Sequence, residues 1–333
     1  MTASRSFVDD CFILPEEQLT SLFERAFSIS RESFPEKIAF YAPGMVHYKT
    51  EFHEATDPYR FPSVSITGRG CALNCEHCHG QLLETMIPAT TPEALWEVCN
   101  EVKERGGTGC LISGGATPLG NTPMQPFIPI IKRIKDELGL DIVIHTGIVY
   151  PEVAEALGDA GIDGAMMDVI GSEATLREIY HLDVSVDVFD KSMTLLEDNG
   201  VPHMPHIIAG LHFGTLKGEA EAVRMIADHN PTSVVVVAFM PLDCTPMEKV
   251  QPASPIDIAR VIAAARIAIP DKPLILGCAR PLGMHRRTTD RLAIDAGVNG
   301  IAYPSDEGYQ YALERGMSAA FANECCSLIS RVL

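Results

Sequence analysis

The residues Cys71-Ala72-Leu73-Asn74-Cys75-Glu76-His77-Cys78 set three thiols at a C-x3-C-x2-C spacing, directly after the apolar run Ser63-Val64-Ser65-Ile66. Three closely spaced thiolates on one short loop can wrap three corners of an iron-sulfur cube and leave the fourth iron without a protein ligand. The competing reading is a zinc knuckle of Cys71, Cys75, Cys78 and His77 or His79. Structural zinc sites usually draw two ligand pairs separated by a longer stretch. This loop offers one tight group, which favours iron and sulfide.

Outward from this loop, from Phe61 onward, short β-branched runs alternate with helical stretches, the pattern of repeated βα units and a parallel sheet. The runs fall at 63–66, 109–112, 140–145, 164–168, 205–208, 233–239, 273–276 and 299–302. Eight strands with intervening helices predict an α/β fold, a closed (β/α)8 TIM-type barrel. Helix openings agree: Thr91-Pro92-Glu93, Tyr150-Pro151-Glu152 and Ser254-Pro255 each put proline in the first turn. In such barrels the functional residues sit on loops at the carboxyl ends of the strands. Those loops hold the triple cysteine, then Ser113-Gly114-Gly115, His145, Asp168, His206 with Gly210, Cys244, and Cys278-Ala279-Arg280.

The flanks read differently. Residues 14–32 predict an amphipathic helix on Leu19, Leu22, Phe23, Ala26 and Phe27, Lys37–Tyr41 a short strand, and 48–62 an irregular polar segment. Two helical pieces, 306–315 and 318–331, are expected at the other end. The domain reading is therefore a cap over 1–60, the barrel over 61–303 and a helical tail over 304–333.

A chain of 333 residues with 46% apolar content can bury a large core. No apolar run approaches the roughly 18 residues of a membrane span, and Met1–Asp10 lacks an apolar signal core. A cytoplasmic protein without a membrane partner is expected. The net charge of -18 disfavours a nucleic-acid partner, which needs a basic face. Ten cysteines in a chain with no export signal favour metal binding over disulfides. Cys99 and Cys110 fall on apolar faces and read as core. Adjacent Cys325 and Cys326 cannot both face one core. Folding the tail over the barrel mouth would bring them to Cys278, giving three thiolates for a second 4Fe-4S cluster. A fourth ligand is then sought in Cys244, Cys11 or Ser327, with free thiols or zinc as the alternatives.

The three-cysteine spacing, with an aromatic ring (His77) before the last thiol, resembles the signature of the radical S-adenosylmethionine (SAM) superfamily. That resemblance implies a 4Fe-4S cluster whose open iron chelates SAM and breaks it to a deoxyadenosyl radical. Ser113-Gly114-Gly115 resembles the family's Gly-Gly-Glu at the methionine end of SAM, with Ala116 in place of the acid. Asp168 matches a ribose-binding position, Arg177 a partner for the SAM carboxylate, and His145 lies beside them on the cofactor-facing rim. Ile208 and Gly210 resemble the fifth-strand motif that packs beside adenine, without the glutamate usual just after it. Arg280 resembles an arginine that biotin synthase sets against its second cluster.

The phrases Ser65-Ile66-Thr67-Gly68, Leu276-Gly277-Cys278-Ala279-Arg280-Pro281, Asp295–Pro304 and Glu324-Cys325-Cys326-Ser327-Leu328 are similar to the biotin synthase-related group that contains the split, two-protein lipoyl synthase. They are closest to the subunit that acts on the octanoyl group. The resemblance implies sulfur insertion at the terminal carbon of an octanoyl chain, with the second cluster as sacrificial donor. It also implies an octanoylated lipoyl-carrier protein as substrate (the glycine cleavage H protein or a dehydrogenase-complex lipoyl domain), a second radical SAM subunit, and ferredoxin or flavodoxin as reductant. The basic Met284-His285-Arg286-Arg287 could receive an acidic carrier. The rival readings are another biotin synthase-like reaction, biotin synthesis or hydrogenase-cofactor maturation, and a non-catalytic iron-sulfur or zinc scaffold.

Overall fold

All eight apolar runs are strands in the computed structural model, which describes residues 5–44, 47–55 and 57–332. Met1–Ser4, read above for an export signal, lie outside the described residues. The strands are β1 (Lys37–Tyr41), β2 (Tyr48–Lys49), β3 (Glu54–Ala55), β4 (Ser63–Ser65), β5 (Ile87–Pro88), β6 (Gly109–Ser113) and β7 (Asp141–His145), followed by β8 (Gly164–Asp168), β9 (His203–Ala209), β10 (Val234–Ala238), β11 (Leu274–Leu276), β12 (Gly300–Ala302) and β13 (Ser318–Ala322). Their side chains alternate as the two-residue period requires. Ile142, Ile144, Ala165 and Met167 pack outward with the helices, while Val143, Met166 and Met204 share a cluster on the inner face.

The strands form one parallel sheet in the order β13-β1-β12-β11-β10-β9-β8-β7-β6-β4-β5, with β2 and β3 as a separate hairpin. The closed barrel expected from the eight runs is corrected here, because no ladder joins β12 to β4 among the described residues. The edge of β12 is taken instead by β1, with Ala39 opposite Gly300, and β13 pairs on the far side of β1. The sheet nevertheless curls. Within the 3-10 segment Cys326–Arg331, Ile329 packs with Tyr41 and Ala302 at one flank, while Leu328 packs with Val143, Met166 and Met204. Ser233 Oγ donates to Ser327 O at 3.1 Å. One short segment reaches both groups only if the sheet wraps round it, so the fold is a bowl whose floor is filled by the segment after β13. Arg331 pins this segment to Asp141 and Asp163 at 2.6 and 2.5 Å.

The flanks depart from expectation for physical reasons. The helix expected over 14–32 is a 3-10 turn at Glu16–Gln18 followed by Leu19–Ser33, and a further helix, Arg5–Ile13, precedes it. Both helices cover Pro255–Ala268, which is buried on every side from Ile258 to Ala268. Arg260 closes that contact by donating to the carbonyls of Cys11 and Leu14 at 2.8 Å. The second expected tail helix is instead β13 and a 3-10 turn. Ser318-Ala319-Ala320-Phe321-Ala322 has good helix formers, yet pairing with β1 and stacking of Phe321 on His53 at 4.3 Å override that propensity.

Candidate active site

The loop after β4 is shaped to present thiols on one side. Asn74 (φ 48°) and His79 (φ 46°) take left-handed backbone, and the amides of Cys78 and His79 both bond Cys75 O. The loop is held from two neighbours: Ala72 N donates to Ala116 O at 2.8 Å, and Glu76 N to Ile179 O at 2.9 Å. Gly115 N donates to Thr67 Oγ1 at 2.7 Å. Gly115 has to lack a side chain, since a Cβ there would lie 2.0 Å from Gly70 O and 2.6 Å from Cys71 Cα.

Cys71, Cys75 and Cys78 open onto a cavity of about 260 Å³, also lined by His77, Ser113, Gly114, Gly115, His145, Asp168 and Tyr180. Nine residues singled out in the sequence thus meet in one place. The Cys78 thiol is held well below its ordinary range by the Cys75 S–H that donates to it, with help from His77 and the Gly80 amide. His77 Nδ1 and the Tyr180 hydroxyl are buried on this wall without a hydrogen-bond partner. Buried polar groups are normally paired, so these two are placed to meet something that fills the cavity. Among the described residues no three His, Cys, Asp or Glu side chains gather round a single point as one metal ion needs. Three thiols facing a shared space, one already biased toward thiolate, fit a cluster that spreads its ligands.

A polar array spans the bowl from here. His145 Nε2 lies 3.6 Å from Asp168 Oδ1. Burial alone would raise Asp168, but His145, His206 and His77 together hold it below the usual carboxylate range. The same pairing outweighs burial at His145 and raises its imidazole, whereas burial pushes His206 down to about 4. Beyond the array lies a second thiol group. Cys278 and Cys325 are close enough that Cys325 adds to the desolvation that raises the Cys278 thiol. Cys326 S–H donates to Cys325, which sits lower, at about 7, and also feels Ser327 and His145. The floor segment therefore brings Cys325 and Cys326 up from below rather than over the mouth, and Cys278, exposed just after β11, lies near enough for the three to influence one another.

Other expectations are not met. Arg280 does not face this group. It is fully buried, and all five of its N–H groups are used: on Asp290 at 2.9 and 2.8 Å, and on the carbonyls of Gly277, Ala302 and Tyr303 at 2.8 to 3.1 Å. Its work is to tie the ends of β11 and β12 to the helix Met284–Asp295. Cys11 is buried in the helix Arg5–Ile13 on the outer layer, and Cys244 is exposed with its amide on Glu248, so neither joins the second thiol group. Ser327 does lie beside Cys325, with its Oγ 3.0 Å from Met166 Sδ. Arg177 is exposed on its helix and does not line the cavity. Ile208 lines a separate small cleft, and Gly210 (φ 72°) passes under Ala253.

Sequence reasoning missed Tyr180, Tyr41 and Glu219. Nine residues after Gly210, Glu219 Oε1 accepts from Gly210 N at 2.8 Å, beside Ile208 in the small cleft. Only the three-dimensional return of the chain reveals it.

Residues 65–226 match the model of the radical SAM superfamily, and residues 236–326 that of the biotin and thiamin synthesis associated (BATS) domain. Each match encloses one of the two thiol groups, so over these residues the chain is similar to the radical SAM superfamily and to the BATS domain. Among curated proteins it is similar to the biotin synthase of Rhodopseudomonas palustris, 26% identical over 229 residues, covering 65% of this chain and 63% of that one. The biotin synthase of Saccharopolyspora erythraea is 25% identical over 240 residues, with 69% and 65% covered. The chain spans a little under two thirds of the length of these two relatives. The fold matches crystal structures of HydG, a maturase of the [FeFe]-hydrogenase (TM-score 0.69, 16% identical, 99% of this chain and 74% of that one), and of methylornithine synthase (TM-score 0.64, 17% identical, 96% and 95%). No helix among the described residues is long and apolar enough to cross a membrane.

Proposed function

We propose that this chain is a radical SAM sulfur-insertion enzyme that places the first sulfur on the terminal carbon of an octanoyl chain carried by a lipoyl-carrier protein, as one half of a two-protein lipoyl synthase. The observation that carries the reading is a second grouping, of Cys278, Cys325 and Cys326, beyond Cys71, Cys75 and Cys78, with the His145–Asp168 array between them. When bound, SAM on the first cluster supplies a radical able to take hydrogen from an unactivated carbon, and the second cluster supplies sulfide. The chain's own residues do the rest. Cys71, Cys75 and Cys78 would hold the first cluster. Gly114 and Gly115 bring a bare backbone to the cavity. His77 Nδ1 and the Tyr180 hydroxyl offer unspent hydrogen bonds to what lies there. The apolar walls at Ile170, Leu176, Leu182 and Phe189 keep water from the reacting carbon and suit an acyl chain. Removing an octanoyl hydrogen is beyond an ordinary general base, so the pair His145–Asp168 is read as a positioning element.

The test is anaerobic incubation with SAM, a reductant such as ferredoxin or flavodoxin, and an octanoylated H-protein or lipoyl-domain peptide, read by mass. A gain of one sulfur is expected, with the second sulfur appearing only when the partner subunit is added. Cys325→Ala with Cys326→Ala should remove about four irons per chain and abolish sulfur transfer while SAM cleavage persists. Unchanged iron would sink the donor-cluster reading. The similarity to biotin synthases favours a second reading, sulfur insertion into dethiobiotin, and turnover of that substrate in place of the octanoyl peptide would establish it. Absence of any deoxyadenosine would leave only a scaffold.

A further inference from the structure

Tyr41, the last residue of β1, is wholly buried, and its hydroxyl has no hydrogen-bond partner among the described residues. The ring packs with Cys326, Ile329 and Ala302 on the inner face of the bowl. The charged groups that bear on it are Cys326, Glu324 and Cys325, which add to the burial that pushes its phenol far up. Every other oxygen or sulfur considered beside the second thiol group is accounted for: Ser327 Oγ meets Met166, Cys11 lies in the outer layer and Cys244 is exposed. A buried hydroxyl left unpaired destabilises the fold. Chains keep such a group where a ligand supplies the missing partner.

Resting on the reading that Cys278, Cys325 and Cys326 hold a second cluster, we propose that the Tyr41 hydroxyl donates a hydrogen bond to a sulfur of that cluster. Tyr41 is then a positioning residue that sets the cluster's potential. A donor to cluster sulfur favours the more negative, reduced state, so it raises the potential. It forms no part of the first cluster's surroundings, since it does not line the cavity of Cys71, Cys75 and Cys78.

Wild type, Tyr41→Phe, Glu324→Gln and the Cys325/Cys326 double alanine variant, each reconstituted anaerobically, decide the matter by iron content and by redox titration followed by electron paramagnetic resonance. Tyr41→Phe should keep wild-type iron, lower the potential of the second cluster only, and leave the iron-free chain at least as heat-stable as iron-free wild type, because an orphan hydroxyl has gone. An unchanged second potential overturns the proposal. So does loss of about four irons in Tyr41→Phe, which would make the hydroxyl a ligand, or a less stable iron-free variant, which would reveal a partner within the chain. A Glu324→Gln variant that reproduces the shift would assign the hydroxyl to that carboxylate and likewise refute it. Should wild type and the double alanine variant hold the same iron, the second-cluster reading itself fails, and the role of Tyr41 with it.

Discussion

Glu219→Gln isolates one buried carboxyl. Glu219 is 5% exposed; its Oε1 accepts from Gly210 N, and its Oε2 has no partner. Burial raises its pKa from 4.5 to about 7, against the lowering effect of backbone amides at Gly210, Glu219 and Lys217. In the unfolded chain the group ionises near 4.5, so between there and 7 the native state keeps a proton that the unfolded state has released. Stability from this group is therefore complete below pH 4.5 and is lost as pH rises through 7. Two and a half units at about 1.4 kcal/mol each give a loss of about 3 kcal/mol. Glutamine can still accept from Gly210 and carries no charge at any pH. Urea unfolding of both proteins at pH 5 and pH 8 should show the variant gaining about 2.5 kcal/mol relative to wild type between the two conditions, whatever its standing at pH 5, since pH 5 already lies above the unfolded pKa. Titrations elsewhere cancel in that comparison. A difference between variant and wild type that is equal at both pH values would refute the argument, because it would mean the carboxyl is ionised in the fold throughout.

Two further substitutions probe the site's frame. Gly115→Ala drives a methyl group against Gly70 O and Cys71 Cα, so it should lower stability by about 1–3 kcal/mol and cut iron uptake at the first cluster; normal iron loading would show that the two loops part easily. Arg280→Met leaves Asp290 buried without a counter-ion, held only by Ser305 N and Oγ, and should lower stability by about 3–5 kcal/mol in urea unfolding. A stable variant with an altered second-cluster spectrum would restore Arg280 to the cluster.

What was legible in the sequence was local. Eight β-branched runs and proline-opened helices announce themselves within a few residues, and C-x3-C-x2-C needs eight. Sheet closure was not legible, because the edge of β12 is open to any strand of suitable register, and β1, over 250 residues earlier, takes it. Arg280 misled because an arginine beside a cysteine at a strand end reads as functional until its four partners, drawn from three other stretches of chain, come into view. The tail thiols reached their place by a route the helix reading excluded. Ala-rich β13 turns the chain at 323–325 and delivers Cys326–Arg331 into the bowl.

The placement of β1 bears on how the molecule is made. Lys37-Ile38-Ala39-Phe40-Tyr41 is an apolar strand whose two neighbours in the sheet, among the described residues, are residues 300–302 and 318–322. At ordinary synthesis rates it leaves the ribosome on the order of ten to fifty seconds before either neighbour exists. For that interval it is an unpaired edge, the kind that seeds aggregation. Chaperone demand during translation, and failure of expression when synthesis stalls between β1 and β12, follow from sheet order alone.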